Sequence, residues 1–151
     1  MLPSKHILIG AIFSVFLYLL GLSLTNVILF FLASFLIDVD HYLYYVYRKR
    51  DISLKKAFNW YLELDKKYSS MSKSSRAKYW YGFCIFHGIE PIILVFILSA
   101  IYAPLVFVAL GLLLHLIMDI FLRILEDGDP LELSSIIYKV YYNSKRKNLN
   151  I

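Results

Sequence analysis

Residues 35–45, FLIDVDHYLYY, open like the interior of a membrane helix and then place Asp38, Asp40 and His41 in the same run. An ionised side chain at that depth costs roughly 3 kcal/mol even on the lenient insertion scales. Any fold this chain adopts must therefore give these groups partners, water or a metal ion.

The surrounding sequence points to lipid. Of 151 residues, 60% are hydrophobic and the mean hydropathy is +0.63. The apolar residues form long runs rather than an amphipathic pattern, which is the mark of an integral membrane protein. Four spans are predicted, at about 6–22, 24–47, 79–100 and 103–125, each approaching the ~20 residues that cross a bilayer. The first, preceded by Lys5, resembles a signal sequence, but no A-x-A-type cleavage site follows and it is expected to be retained. The expected fold is an all-α membrane protein with four transmembrane helices.

The short links GLSLTN (21–26) and SAIYAP (99–104) are uncharged, whereas the link 48–78 and the tail 126–151 are charged. Four crossings put the N-terminus, the long link and the tail on one side, and all 16 Lys and Arg residues fall there. By the positive-inside rule that side is cytoplasmic, which predicts an inner-membrane protein with both termini inside. The net charge of +5 then needs no nucleic acid. No protein partner is predicted, and a homo-oligomer is compatible with the sequence. The single cysteine, Cys84, excludes an intrachain disulfide and reads as a packing residue.

Two cytoplasmic amphipathic helices are expected. One carries Leu54, Ala57, Phe58, Tyr61 and Leu62 at helical spacing; the other carries Leu133, Ile136, Ile137, Val140 and Tyr141. The second has a start signal in Asp129, Pro130 and Glu132. Either lying in the headgroup plane or packing on the bundle end accounts for them. The Ser/Lys-rich YSSMSKSSRAK between link helix and third span reads as a linker.

Eight polar residues fall inside or beside the four spans: His6; Asp38, Asp40 and His41; His87 and Glu90; His115 and Asp119. Because the helices alternate in direction, these positions share one layer of the cytoplasmic half. At about 1.5 Å per residue, Asp38 lies ~15 Å from Arg48, His87 ~13 Å from Lys78 and His115 ~12 Å from Arg123. All four histidines of the chain are in this layer. Asp38 and His41, His87 and Glu90, and His115 and Asp119 are spaced to share a helix face. Asp40 does not share Asp38's face and calls for a second metal, a local distortion or another partner. Pro91 is expected to kink the third helix beside the site.

Four carboxylates in a low-dielectric layer repel one another, and two divalent ions would balance them. Imidazole and carboxylate without thiolate suit Zn, with Mn or Fe as alternatives. Each residue also has a plainer role open to it: Asp119 paired with Arg123, His6 solvated at the membrane edge, Glu90 capping the Pro91 kink, His41 bonded to Asp38.

The ordered set HILIG (6–10), DVDH (38–41), FH (86–87) and G-x-x-x-H-x-x-x-D (111–119) resembles the YdjM-type inner-membrane proteins assigned as metal-dependent hydrolases. That family is loosely similar to zinc-dependent phospholipase C and related single-strand nucleases. The resemblance spans most of the chain outside 48–78 and the tail, and implies that His6, Asp38, Asp40, His41, His87, His115 and Asp119 are ligands. Ile37 stands where a proline is usual in that family, and HGIE (87–90) departs from its pattern, leaving Glu90 as a ligand or a general base.

The expected function is therefore hydrolysis of a membrane lipid's phosphate ester at the cytoplasmic leaflet by metal-activated water, with Glu90 or Asp40 as general base. The alternatives are a metal-ion or proton transporter and a non-catalytic scaffold clamped by metal. Against transport, the outer halves of the spans, such as VFLYLLGL, contain no His, acidic or basic residue.

Overall fold

The protein is described by a computed structural model covering residues 3–76, 78–80, 85–125 and 134–149. Its architecture is helical. The first helix, α1 (Pro3–Leu19), ends at Gly21, whose φ of 88° only glycine adopts freely. The hydroxyl of Ser23 then accepts the Asn26 N–H and starts α2 (Leu24–Leu36). α3 (Val39–Lys49) follows with only Ile37 and Asp38 between them, and Arg50, at φ 53°, caps its end.

Helices α2 and α3 count together as one stretch, Leu24–Lys49, long and apolar enough to cross a bilayer. The other is α7 (Leu105–Leu125). The remaining apolar helices, α1 and α6 (Ile89–Leu98), are shorter.

The expectation of a continuous third span over 79–100 is corrected. Tyr79–Trp80 is a short strand (β1), residues 85–88 are bends, and α6 is ten residues long. At about 1.5 Å per residue it covers ~15 Å, half a hydrocarbon core. The cause is local. Gly88 is extended, and Pro91 sits in the first turn, where its missing N–H is not needed, so proline begins this helix instead of kinking it.

The bundle centres on α2. Helix α7 crosses it where Gly111 meets the Phe30 carbonyl and the Ala33 methyl, and α1 approaches it where Gly10 faces the Ser34 side chain. Glycine at a helix contact lets two backbones come close, which drives association in lipid. Helix α6 packs on α7 through Ile92, Ala109 and Leu116. The outward faces of α1, α6 and α7 leave Leu8, Phe16, Leu94, Phe96 and Phe121 exposed, as lipid-facing helices do.

Outside the bundle, Ser53 caps α4 (Leu54–Ser69), and the Asp51 carboxylate takes the Ser53 N–H and the Lys56 ammonium. The Ser/Lys-rich stretch read as a linker contains a four-residue helix, α5 (Lys73–Arg76), begun by the Ser72 hydroxyl. Ser135 caps the tail helix α8 (Ile136–Asn143). The start signal at Asp129, Pro130 and Glu132, together with Leu133, lies outside the described residues. Beyond α8, β2 (Lys147–Asn148) pairs in parallel with β1. Leu149 then joins Leu64 and Tyr68 of α4 in a small apolar core. Of the two placements open to the link helix, packing thus claims its Ala57–Leu64–Tyr68 face. Leu54, Phe58 and Leu62 are exposed on the other.

Candidate metal centre

The break at Ile37–Asp38 shapes the site. Asp40 N–H reaches the Ile37 carbonyl and His41 N–H the Asp38 carbonyl, bonds one residue tighter than α-helical ones. This overwinding turns Asp38 and Asp40 towards one target, His87: its Nε2 lies 3.3 Å from Asp38 Oδ1 and its Nδ1 3.1 Å from Asp40 Oδ2. Of the explanations open for Asp40, local distortion is the one observed. The Phe86 N–H also donates to Asp40 Oδ2, at 3.0 Å, fixing the bend that carries His87.

His115 comes from the continuous helix α7 and is fully buried. Its Nδ1 is 2.9 Å from the Ser34 carbonyl, so Nδ1 carries the proton and Nε2 turns a lone pair inward. Asp40 likewise holds a proton on His87 Nδ1, while His87 Nε2 faces Asp38 Oδ1. The two Nε2 atoms stand 3.2 Å apart. Asp38 Oδ1 is 3.5 Å from His115 Nε2; Asp119 Oδ2 is 3.3 Å from His115 Nε2 and 3.7 Å from His87 Nε2. Ring nitrogens and carboxylate oxygens converging at such distances need a shared proton or a metal cation among them.

The spacing fits one. A tetrahedral zinc with bonds of about 2.0–2.1 Å keeps its ligand atoms ~3.3 Å apart. The outer arrangement fits as well, since metal-bound imidazoles ordinarily donate their other N–H to a carboxylate or carbonyl, the parts played here by Asp40 and Ser34. Buried His/Asp groups in this chain could thus hold a metal ion. Three overlapping triads have ligand atoms within 4.8 Å of one another: His6, Asp38 and His115; Asp38, His41 and His87; His87, His115 and Asp119.

Two further histidines flank this set. The His6 ring is fully buried, stacks on His115 at 3.8 Å, and brings Nε2 to 3.2 Å from Asp119 Oδ1. Its Nδ1, like Asp38 Oδ2, is buried without a hydrogen-bond partner among the described residues. The solvated His6 considered from sequence is not what is observed. On the other flank His41 lies 3.8 Å from Asp38 Oδ1 and packs edge-on against Tyr61 and His87, with 37% of its side chain exposed. The cluster is least enclosed on the His41 side. Asp119 turns to His6, His87 and His115, while Arg123 reaches the Tyr68 hydroxyl.

Glu90 stands apart. The helical face expected to join it to His87 does not exist, because His87 precedes the helix. Its carboxylate accepts the Ser135 hydroxyl at 2.6 Å and the N–H groups of Ile136 and Ile137 at 3.0 and 3.2 Å, holding the tail helix by its N-terminus. The adjacent Gly88 has no room for a side chain beside Glu90 and Ile136.

Sequence reasoning missed the two supports of the site. Ser34 was legible as the one polar residue in VILFFLASFLI (27–37). Lys139, whose ammonium reaches the His87 carbonyl at 3.4 Å, carried no signal beyond lying on an apolar helix.

Comparison with known proteins yields no match to a family, a curated protein or a solved structure.

Proposed function

We propose that this chain is a membrane-embedded, metal-dependent hydrolase of the kind the YdjM-type resemblance implies, acting on a phosphate ester of a membrane lipid at the cytoplasmic face. The observation that carries the reading is the pair of inward-facing Nε2 atoms 3.2 Å apart, each with its Nδ1 already committed. Asp38, His87, His115 and Asp119 would hold one divalent ion, with zinc the best fit to two imidazoles and two carboxylates near tetrahedral spacing. His6 beside Asp119, and His41 beside Asp38, are the residues a second ion would use.

Such an ion supplies Lewis acidity towards a phosphoryl oxygen and a water acidic enough to attack at neutral pH. The chain's own residues do the rest. Asp40 and the Ser34 carbonyl hold the two imidazoles in the tautomers that present Nε2. The glycine contacts fix the helices that carry the ligands. The partial exposure of His41 favours an accessible centre over a closed structural clamp. Glu90, with three donors on its carboxylate, is not supported as ligand or base. Asp40, bonded to His87 and Phe86, acts as a positioning group.

The reading takes α1 and α6 as crossing partners of the two longer stretches, so that four crossings leave the site and both termini on the cytoplasmic side of the inner membrane. The deciding experiment is metal content of detergent-purified protein by mass spectrometry, wild type beside Asp38→Asn and His115→Ala. One to two equivalents of zinc, manganese or iron in wild type, lost in both variants, supports the centre and directs a screen of phospholipid phosphates. A wild type that stays folded, is metal-free and takes up none on addition ends this reading.

A further inference from the structure

Helix α8 is amphipathic in the wrong sense for a solvated helix. It exposes Ile137, Val140 and Tyr141 and buries Lys139, which is only 8% exposed. Among the Lys and Arg side chains described, Lys139 is the one that is buried. Its ammonium has three protons to place. Among the described residues it makes one hydrogen bond, to the His87 carbonyl at 3.4 Å, near the outer limit for such a bond, and no described carboxylate lies within ion-pair distance.

A plain role is available: Pro91 has no N–H to offer the His87 carbonyl, and Lys139 replaces it. A neutral donor would serve that carbonyl without burying a charge, and one long bond does not offset the desolvation of an ammonium. A buried cation one residue's width from the metal-facing ring of His87 is in want of an anion.

We propose that Lys139 is the anion-binding residue of this site, its ammonium taking an oxygen of a phosphate group whose other oxygens face the metal centre. This rests on the metal reading above. Asp38 and Asp119 would already neutralise one divalent ion, so a phosphate arriving there needs a further cation, and a lysine point charge is a common phosphate binder. The tail helix, tied to the bend by Glu90, thus delivers a substrate contact that none of the metal-ligand motifs contains.

The test uses the full chain in detergent, loaded with zinc, with inorganic phosphate as the probe, read by calorimetry beside metal content. Wild type is expected to bind phosphate, Lys139→Arg to bind within about threefold, and Lys139→Met to keep its zinc while binding at least tenfold more weakly. A zinc-retaining Lys139→Met that binds like wild type overturns the assignment and leaves the metal centre standing. A wild type that takes up no zinc and binds no phosphate overturns both.

A measurement on wild type alone covers a Lys139→Met that fails to fold. Cyanate, a small anion, adds to a free amine to give a urea, and saturating phosphate is expected to slow that addition at Lys139 at least fivefold; equal rates overturn the proposal. Displacement of bound phosphate by phosphatidic acid in mixed micelles assigns the group to a lipid headgroup, and displacement by glycerol 3-phosphate assigns it to a soluble ester. Failure of both counts against the site.

Discussion

Asp38 and Asp40 are two residues apart and both touch His87, yet they touch opposite nitrogens. That separation assigns them different roles. Asp38 Oδ1 faces the two Nε2 atoms, so on the proposed reading Asp38→Asn removes a ligand's charge and should abolish metal retention, as should His115→Ala. Asp40 Oδ2 holds the Nδ1 proton and the Phe86 N–H. Asp40→Asn preserves the shape but offers His87 an amide that can turn its donor to the ring and favour the wrong tautomer. Loss of an outer partner of this kind typically costs 10–100-fold in metal affinity. Competition with a zinc chelator should therefore rank wild type above Asp40→Asn above Asp38→Asn. Equal losses in the two variants would make Asp40 a ligand after all.

At the scale of elements, ligand and glycine travel together: His6 is four residues before Gly10 and His115 four after Gly111, each pair on one helix face. A methyl at Gly111 would run into the Phe30 backbone carbonyl, which cannot move aside, whereas one at Gly10 meets the Ser34 hydroxyl, a side chain that can rotate. Overpacking of this kind costs about 1–3 kcal/mol. Gly111→Ala should fall at the upper end, with a lower unfolding midpoint in detergent than Gly10→Ala, and should loosen metal binding through His115. The tail helix obeys a separate logic. Glu90→Gln weakens the acceptor for the Ile136 and Ile137 N–H groups. It should speed hydrogen exchange over residues 136–149 severalfold while leaving metal content intact. A loss of metal in that variant would return Glu90 to the site.

These elements also mark what was readable in advance. His115 and Asp119 were legible because α7 is unbroken and spacing on a regular helix fixes the face. The misfit of Asp40 to that spacing left a second metal, a distortion or another partner open, and only the structure shows the break at Ile37–Asp38. Glu90 was placed with His87 because the same arithmetic was carried back through Gly88 to a residue that precedes α6. The docking of α8 was invisible, since it depends on a carboxylate 45 residues from its partner Ser135.

For the whole molecule the open matter is how a bundle with two long apolar stretches sits in a bilayer. The α1 helix, at 17 residues, falls just short of a typical span, and α6 is only ten residues long. Helices this short can still cross where the bilayer thins or where the neighbouring backbone is buried in protein. Within the bend at 85–88, the Phe86 N–H engages Asp40 and the His87 carbonyl engages Lys139. Every Lys and Arg lies outside the two uncharged links, which argues for four crossings. Single cysteines in a Cys84→Ser background test it. With four crossings, positions 22 and 102 react with a membrane-impermeant maleimide in intact cells, and positions 50 and 145 react only after lysis. If α6 instead enters and leaves on one face, α7 is the third and last crossing: position 102 joins 50 in being protected, and 145 reacts in intact cells. The site would then sit in a re-entrant corner, and the lipid headgroup would have to reach it from the side of the bundle.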